Sequence, residues 1–261
     1  DILPNYKDVQ VALNVDKPLA LVSSDGSSAE FAVTFTTEKS TWKMILRFFA
    51  DSRAIEVENV VDWDEKHKLV KVNFGPDVLT RELVCDTSAG FVKRDLTKNT
   101  SWQQARFEVC HHKWCDMSES GSGIAIINEG KYGVGLEKDE IFLSLLRATI
   151  RPDITSDIGH HDFCYTILPH SGDAVEAQVN KTAMEYNVPL CKSNVTVPAA
   201  LRDTLNNCGL YLQAMKRSED GQFLILRLSE QDGRRGKIAF PFEVQTMNLI
   251  EDIEGSTKVV S

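Results

Sequence analysis

The sequence lacks several features that would place it quickly in a class. No run of apolar residues approaches the ~18 that a membrane-spanning helix needs. The first residues, DILPNYKDVQ, have neither the basic nor the apolar segment of a secretion signal. Acidic residues outnumber basic ones, 38 against 29, and the formal net charge is −9. We therefore expect no nucleic acid and no membrane surface as partner, since both demand a cationic footprint.

Cysteine is present, but not as a disulfide framework. The six cysteines are scattered singly, apart from Cys110 and Cys115, and most lie among strand-like apolar residues. Such a pattern favours buried free thiols in a reducing compartment. We therefore expect a cytoplasmic protein.

The motifs of several common active sites are also missing. There is no nucleophile elbow, no phosphate-binding loop and no dinucleotide fingerprint, because the glycines of GSGIAI lead into a strand and not into a helix. Acidic side chains are numerous, yet their spacing singles out no acid and nucleophile for glycoside hydrolysis. Spacing alone therefore assigns no catalytic residue.

What the sequence does have is alternation of apolar and polar residues. AEFAVTFT, WKMILRFFA, AIEVENVVDW, HKLVKVNF, TRELVCDT, ARFEVCHH, GSGIAIINEG, EIFLSLLRA and DFCYTILPH all predict strands. The short polar connections DSR, DEK and GPD predict that neighbouring strands are hairpin partners. Short strands separated by turns indicate an all-β protein, a sandwich or several packed antiparallel sheets.

The last third of the chain interrupts this pattern. Apolar residues recur every four positions in 172–187 behind a candidate N-cap, Asp173, which predicts one helix. The segment 189–202 has two prolines and little periodicity, as a linker between domains would. LYLQAMKR and FLILRLSE then predict a hairpin, and RRGKIAFPF (234–242) predicts a third strand of a small second β module.

Two clusters have ligand types that zinc prefers. The first places Cys110, His111, His112 and Cys115 within six positions, but the alternation of the preceding residues predicts a strand, in which only half of them face one way. The second, His160-His161-Asp162, contains a His-x-Asp spacing without a third ligand nearby in sequence. For both clusters the structural interpretation is favoured over a metal site, and we predict no metal ligand in this chain.

A long polar connection lies between two strongly apolar strands in the segment 147–163. Loops on a rigid sheet are where binding residues collect, and polar side chains of this segment can hydrogen-bond to a polyol. The alternative is an ordinary loop held by its own Arg and Asp pairs. The candidate substrate-contact residues are Arg147, Arg151, Asp157, His160 and His161.

Three long motifs resemble one family. VDWDEKHKLVKVNF (61–74), KNTSWQQARFEVCHHKWCDMSESGSGIAIINEGKYG (98–133) and LSLLRATIRPDITSDIGHHDFCYTILPHSGD (143–173) are similar to the C-terminal region of α-mannosidases of glycoside hydrolase family 38, cytosolic and bacterial branch. The resemblance implies a large antiparallel β-sandwich, of the galactose-mutarotase-like supersandwich type, over residues 1–190. A smaller C-terminal β-sandwich module would occupy residues 191–261.

The resemblance also implies a function for the whole enzyme. Family members hydrolyse α-linked mannose of oligosaccharides with retention, through a covalent intermediate on an Asp and with a zinc ion that binds sugar hydroxyls. Those parts belong to an N-terminal α/β barrel, which this sequence does not contain. We therefore expect no catalytic residue and no zinc ligand here, and we expect the chain to be inactive alone.

The implied role of the chain is to support that barrel and to complete its substrate pocket. The connection 147–161 is the candidate loop for this, and the surface that packs on the barrel would be unusually apolar. The partners implied are the catalytic domain of the same chain and a mannose-containing oligosaccharide, and an oligomer is possible. The alternative is a stand-alone carbohydrate-binding module with Trp102, Trp114 or Tyr132 as sugar platform, although the four tryptophans mostly fall in strand alternation, which favours the core.

Overall fold

The computed structural model describes residues 13–137, 140–190 and 197–254. These residues form mostly β-structure, with three short helices. The strands are β1 (Asn14–Ser24), β2 (Ser28–Thr36), β3 (Thr41–Phe49), β4 (Ile55–Trp63), β5 (Lys68–Phe74), β6 (Glu82–Thr87), β7 (Gly90–Asp95), β8 (Glu108–Cys110), β9 (Trp114–Glu119), β10 (Ser122–Asn128), β11 (Gly133–Glu137), β12 (Glu140–Ala148), β13 (Gly159–Ser171), β14 (Tyr211–Arg217) and β15 (Leu224–Ser229). The helices are α1 (Ser101–Gln104), α2 (Val179–Asn187) and α3 (Ala199–Asn207).

Thirteen of these strands build two sheets. The larger has the order β1-β2-β3-β4-β13-β10-β9-β6-β7, and the smaller has the order β5-β12-β11-β8. The expected hairpins β2-β3 and β3-β4 form with continuous register. The hairpins expected across DEK and GPD were wrong, because β4 and β6 lie in the nine-stranded sheet and β5 lies in the four-stranded one. Both connections carry the chain from one sheet to the other.

The two sheets share one hydrophobic core, which confirms the all-β fold. Val57 and Val61 of the larger sheet and Leu143 of the smaller one are fully buried in the same cluster. The rings of Phe74 in β5 and Tyr165 in β13 meet edge to face with centroids 5.8 Å apart, directly across the sandwich. The apolar residues of the period-two pattern therefore face inward, towards the core between the two sheets.

The helix expected over 172–187 is present but shorter. It begins only at Val179, because Asp173 caps a preceding turn instead: its Oδ1 accepts from the backbone N–H of Val175 (2.9 Å) and Glu176 (2.8 Å). Val179 and Ala183 are both fully buried, as the four-residue spacing predicts. The sequence therefore located the buried face of α2 correctly and its start wrongly.

The chain folds as two compact units, Asp1–Thr87 with Val92–Val188, and Ser88–Phe91 with Pro189–Ser261. In the second unit the expected hairpin forms as β14-β15. The third strand expected at 234–242 was wrong, since this segment is irregular, and α3 lies where part of a linker was expected. Within the described residues no helix has both the length and the hydropathy to cross a membrane.

Candidate functional site

The segment that was expected to contact substrate joins the two sheets. Strand β12 of the smaller sheet ends at Ala148, and β13 of the larger sheet begins at Gly159. Residues 149–158, here named the rim loop, make this crossing. The loop is exposed at 151–155 and its ends are on rigid strands. A polar segment anchored in this way can present side chains to a ligand with little freedom of its own.

A β-bulge decides where Arg147 points. The register of β12 against β5 shifts between Ser144 and Leu146, so that Leu145 and Leu146 are both buried. The extra residue moves the alternation by one position, and Arg147 becomes exposed between buried neighbours. The guanidinium of Arg147 is thus on the outer face of the sheet, at the start of the rim loop.

Asp157 holds both ends of the rim loop together. Its Oδ2 accepts from the backbone N–H of Arg147 at 2.5 Å, and its carbonyl oxygen accepts from Nε2 of His161 at 2.9 Å. The residue is in the left-handed region, with φ of 55°, and Gly159 follows at φ of 132°. The chain therefore turns sharply into β13, and three of the five candidate residues are joined in one network.

His160 belongs to a different group of side chains. Its Nδ1 lies 2.7 Å from Oδ1 of Asp62 in β4, and its Nε2 lies 3.3 Å from Oδ2 of Asp162. The contact with Asp62, followed by the charge of Asp162, raises the pKa of His160 above its ordinary value. Each ring nitrogen faces a carboxylate, so the imidazolium form is favoured and neither nitrogen offers a free lone pair to a metal.

Arg151 lies in the exposed part of the rim loop. Beside it, Asp153 accepts from both the backbone and the hydroxyl of Thr155 at 2.8 Å, which closes a local turn. These hydrogen bonds lower the pKa of Asp153. Among the candidates, Arg147, Arg151 and His160 have exposed side chains, whereas Asp157 and His161 shape the loop.

The Cys-His-His-Cys segment is not one continuous strand, contrary to the expectation. Strand β8 ends at Cys110 in the smaller sheet, and β9 begins at Trp114 in the larger one. The four residues therefore sit in different environments: Cys110 is exposed, His111 and Cys115 are fully buried. Alternation could not reveal this, because a crossing between two sheets looks like a strand when both sides are apolar.

His111 is buried as a neutral ring. The amide oxygen of Asn128 accepts from the N–H of Gly130 (2.9 Å) and Lys131 (2.6 Å), which fixes the orientation of the amide. Its nitrogen then faces Nε2 of His111 at 2.7 Å, so Nε2 is the acceptor and the ring proton is on Nδ1. Burial lowers the pKa of His111 to about 4.

The sequence missed an ion pair that spans the smaller sheet. Lys71 in β5 reaches across two strands to Glu108 in β8, and Ser144 donates to the same carboxylate at 2.7 Å. The path is open because Gly133 and Gly135 of the intervening β11 have no side chains there: a Cβ on Gly135 would lie 3.4 Å from Nζ of Lys71. In the sequence, the alternation Gly133-Val134-Gly135 was the feature that pointed to an open path across this strand.

The groups that contact Glu108 keep its carboxylate ionised. Burial alone would raise the pKa of Glu108, but the contacts with Lys71 and Ser144, with a smaller effect of the charge of Arg147, hold it below its ordinary value. Glu108 thus extends a polar surface from β8 to the start of the rim loop.

Two further expectations concern metal and sugar platforms. In the part of the chain that the structure describes, no three His, Cys, Asp or Glu side chains are grouped so that they could hold a metal ion. Trp114 cannot be a sugar platform, because it is 2% exposed and its Nε1 donates to Asn180 at 3.2 Å. Trp102 and Tyr132 are 86% and 54% exposed.

Comparison with known proteins gives matches along most of the chain. Residues 1–155 match the glycosyl hydrolases family 38 C-terminal domain, and residues 209–261 match the family 38 C-terminal beta sandwich domain. Human alpha-mannosidase 2C1 is 37% identical over 180 residues, 66% of this chain and 17% of the relative. Alpha-mannosidase G of Dictyostelium discoideum is 32% identical over 80% of this chain and 20% of its own length. The chain thus spans about a fifth of these relatives.

Solved structures agree on the fold. A glycosyl hydrolase family 38 protein from Enterococcus faecalis superposes with a TM-score of 0.71 over 92% of this chain and 34% of its own, at 13% identity. An alpha-mannosidase from the same species gives a TM-score of 0.66 over 82% of this chain and 30% of its own. Because the family model matches more than half of its residues, the chain belongs to glycosyl hydrolase family 38 and represents the C-terminal region of that family.

Proposed function

We propose that this chain is the C-terminal β portion of a retaining α-mannosidase that releases α-linked mannose from oligosaccharides. In this proposal residues 1–190 form the large sandwich domain and residues 191–261 the smaller β module. The names of the relatives support it, since the human and Dictyostelium proteins are both alpha-mannosidases. The remaining four fifths of such an enzyme would carry the catalytic domain.

The rim loop is the observation on which the proposed role depends. The loop and the two strand ends beside it present Arg147 and Arg151 as hydrogen-bond donors. They also present His160 beside the carboxylates of Asp62 and Asp162, and Asp157 holds the backbone between them. Guanidinium forks and carboxylates are suited to the hydroxyls of a sugar. In the proposal these side chains complete the substrate pocket, and Asp157 and His161 keep the loop in the required conformation.

The zinc of this proposal lies outside the chain. His160 and His111 do not fit the ion, because both ring nitrogens of His160 face carboxylates and Nε2 of His111 already accepts from Asn128. Among the described residues, no three potential ligands are grouped around one point. Zinc needs convergent lone pairs from three or four ligands. We therefore place the metal, the nucleophile and the acid in the catalytic domain and derive no chemical step from the residues of this chain.

The edge strand β1 supports packing against such a domain. All its residues are exposed, and Val15, Leu19, Leu21 and Val22 are each 57–62% exposed. An exposed apolar edge of this kind is a liability unless another surface covers it. In the proposal this surface lies against the rest of the enzyme.

We also propose that the enzyme works in the cytoplasm. Cys85 and Cys115 are register partners on adjacent antiparallel strands, both fully buried, and both are free thiols. Burial raises the pKa of both thiols, to about 11 for Cys85. Two neutral thiols that face each other across neighbouring strands without forming a disulfide are typical of a reducing compartment.

The test of the proposed role uses a protein that extends this chain towards its N-terminus through the catalytic domain. Replacing Arg147 by Ala should lower kcat/KM for an aryl α-mannoside by roughly tenfold or more, because a positioned hydrogen-bond donor is lost. Arg217→Ala, which removes an exposed Arg of β14, is the matched control and should leave kcat/KM unchanged. Equal kinetics of both variants would remove the rim loop from the substrate pocket.

A further inference from the structure

The first unit contains a cavity that the proposed function does not use. It has a volume of about 300 Å³ and is lined by His112, Lys113, Asn128, Glu129, Tyr132 and Asn187. These residues come from three segments: the turn between β8 and β9, the turn after β10, and the end of α2. The volume is at the lower end of the range for small-ligand sites.

The walls of this cavity are fixed before any ligand arrives. Asn128 is 1% exposed, and its amide binds both turns: it accepts from Gly130 and Lys131 and donates to the carbonyl of His112 at 3.1 Å. The backbone N–H of His111 donates to the carbonyl of Tyr132 at 3.0 Å. The two turns are therefore held together by buried hydrogen bonds, and binding would cost little ordering.

The charges at the cavity favour a neutral ligand. Lys113 donates from Nζ (2.8 Å) and from its backbone N–H (2.9 Å) to Oδ2 of the buried Asp86, so its charge is already paired. Glu129 adds a carboxylate at the exposed side. An anion would meet this carboxylate, and the lining residues named above offer no unpaired cation to compensate.

The remaining lining groups suit a polyhydroxylated ring. The ring of Tyr132 is 54% exposed and meets the ring of His112 edge to face at 5.8 Å, which leaves an aromatic surface at the cavity. Asn187 donates to Ala183 at 2.9 Å, so its amide oxygen is left as an acceptor. An aromatic surface beside acceptors of this kind binds the C–H face and the hydroxyls of a sugar.

We propose that this cavity is a saccharide subsite that binds a neutral hexopyranose. None of its lining residues belongs to the rim loop or to the candidate substrate contacts at the ends of that loop. The site would therefore hold a sugar residue other than the one at the rim loop. Because it needs only the residues of this chain, it does not depend on the proposed catalytic role.

The test is a titration of the ¹⁵N-labelled chain with methyl α-mannoside, followed by amide chemical shifts. We expect saturable shifts at 111–113 and 128–132 with a Kd in the millimolar range. Tyr132→Ala should weaken binding roughly fivefold through loss of the aromatic surface. Phe223→Ala removes an aromatic residue with the same exposure, 54%, that does not line the cavity, and should leave the Kd unchanged.

Three outcomes would overturn the subsite. They are shifts that do not saturate by about 50 mM sugar, shifts that cluster away from the two turns, and tighter binding of inorganic phosphate than of the neutral sugar. A failure here leaves the proposed enzyme function standing, since that function is measured by hydrolysis in the extended protein. Binding without hydrolysis in the extended protein would remove the proposed function and keep the subsite.

Discussion

The sequence contains two His-His pairs, and the first ring of each pair lies in a very different environment from the other. His111 is fully buried and accepts a hydrogen bond from Asn128, whereas the side chain of His160 is 56% exposed between two carboxylates. Burial lowers the pKa of the first ring and the acidic neighbours raise that of the second. The difference shows that the environment, and not the dipeptide, decides whether a histidine supports a turn or carries a charge.

Removing the buried ring should have the greatest consequence. His111→Ala should lower the free energy of unfolding by about 4 kcal/mol, because it leaves a cavity and takes the acceptor from the buried amide of Asn128. His160→Ala should lower the free energy of unfolding far less, because the ring is exposed and its contacts with the two carboxylates contribute only at pH values where the ring is protonated. Urea unfolding of the two variants measures both values, and equal losses would show that the two pairs are structurally equivalent after all.

The two rings should also respond to pH with opposite sign. The folded pKa of His111, about 4, lies below the ordinary 6.5, so its contribution is complete above pH 6.5 and is lost as pH falls towards about 4. The full effect is roughly 3 kcal/mol. For His160 the folded pKa is raised, so its contribution is present below pH 6.5 and is lost as pH rises through the folded pKa.

NMR titration of the ring protons checks this directly. The resonances of His111 should stay in the neutral form down to pH 5, whereas the ring of His160 should titrate above pH 6.5 and be more than half protonated at that pH. In His111→Ala the acid loss of stability between pH 6.5 and 4 should shrink. An unchanged loss would mean that other groups cause it.

A smaller change is expected at the end of the rim loop beside the second pair. Asp157→Ala removes the acceptor of the Arg147 N–H, which should cost about 1 kcal/mol and speed hydrogen exchange of that amide. Asp153→Ala, which breaks only the local turn with Thr155, is the control and should leave the Arg147 amide protected. If both variants behave alike, Asp157 does not hold the loop.

Added or removed metal should have the smallest effect on the stability of this chain. Neither pair offers convergent lone pairs, so added zinc or a chelator should leave the Tm of this chain unchanged. Elemental analysis of the purified chain should find zinc well below one equivalent. One zinc for each molecule would require that Cys110, His112 and Cys115 be considered as ligands again.

The sequence predicted those parts of the fold that depend on local alternation. EIFLSLLRA became β12 and AIEVENVVDW became β4, because each faces the core on one side and solvent on the other. It failed where the chain changes sheets, at DEK, at GPD and between Cys110 and Trp114, because the residues on both sides of a crossing have the alternation of a strand. The irregular segment 234–242 was predicted as a strand for a related reason, because alternation does not guarantee a partner.

The candidate site was predictable only in part. The exposed rim loop and its polar residues could be found from the sequence, because they form a polar segment between two apolar strands. The contact of His160 with Asp62 joins residues 98 positions apart and depends on the register of β13 on β4. The ion pair of Lys71 with Glu108 likewise needs the order of four strands. Contacts that depend on how distant strands pair leave no recognisable pattern among neighbouring residues of the sequence.

The decisive measurement is hydrolysis of a nitrophenyl α-mannoside by this chain alone and by the protein extended through its catalytic domain. We predict no release of nitrophenol by the chain alone, and turnover with bound zinc by the extended protein, weakened by Arg147→Ala. Release that rises in proportion to the concentration of the isolated chain would contradict the proposed function, because the catalytic groups would then have to lie within these 261 residues.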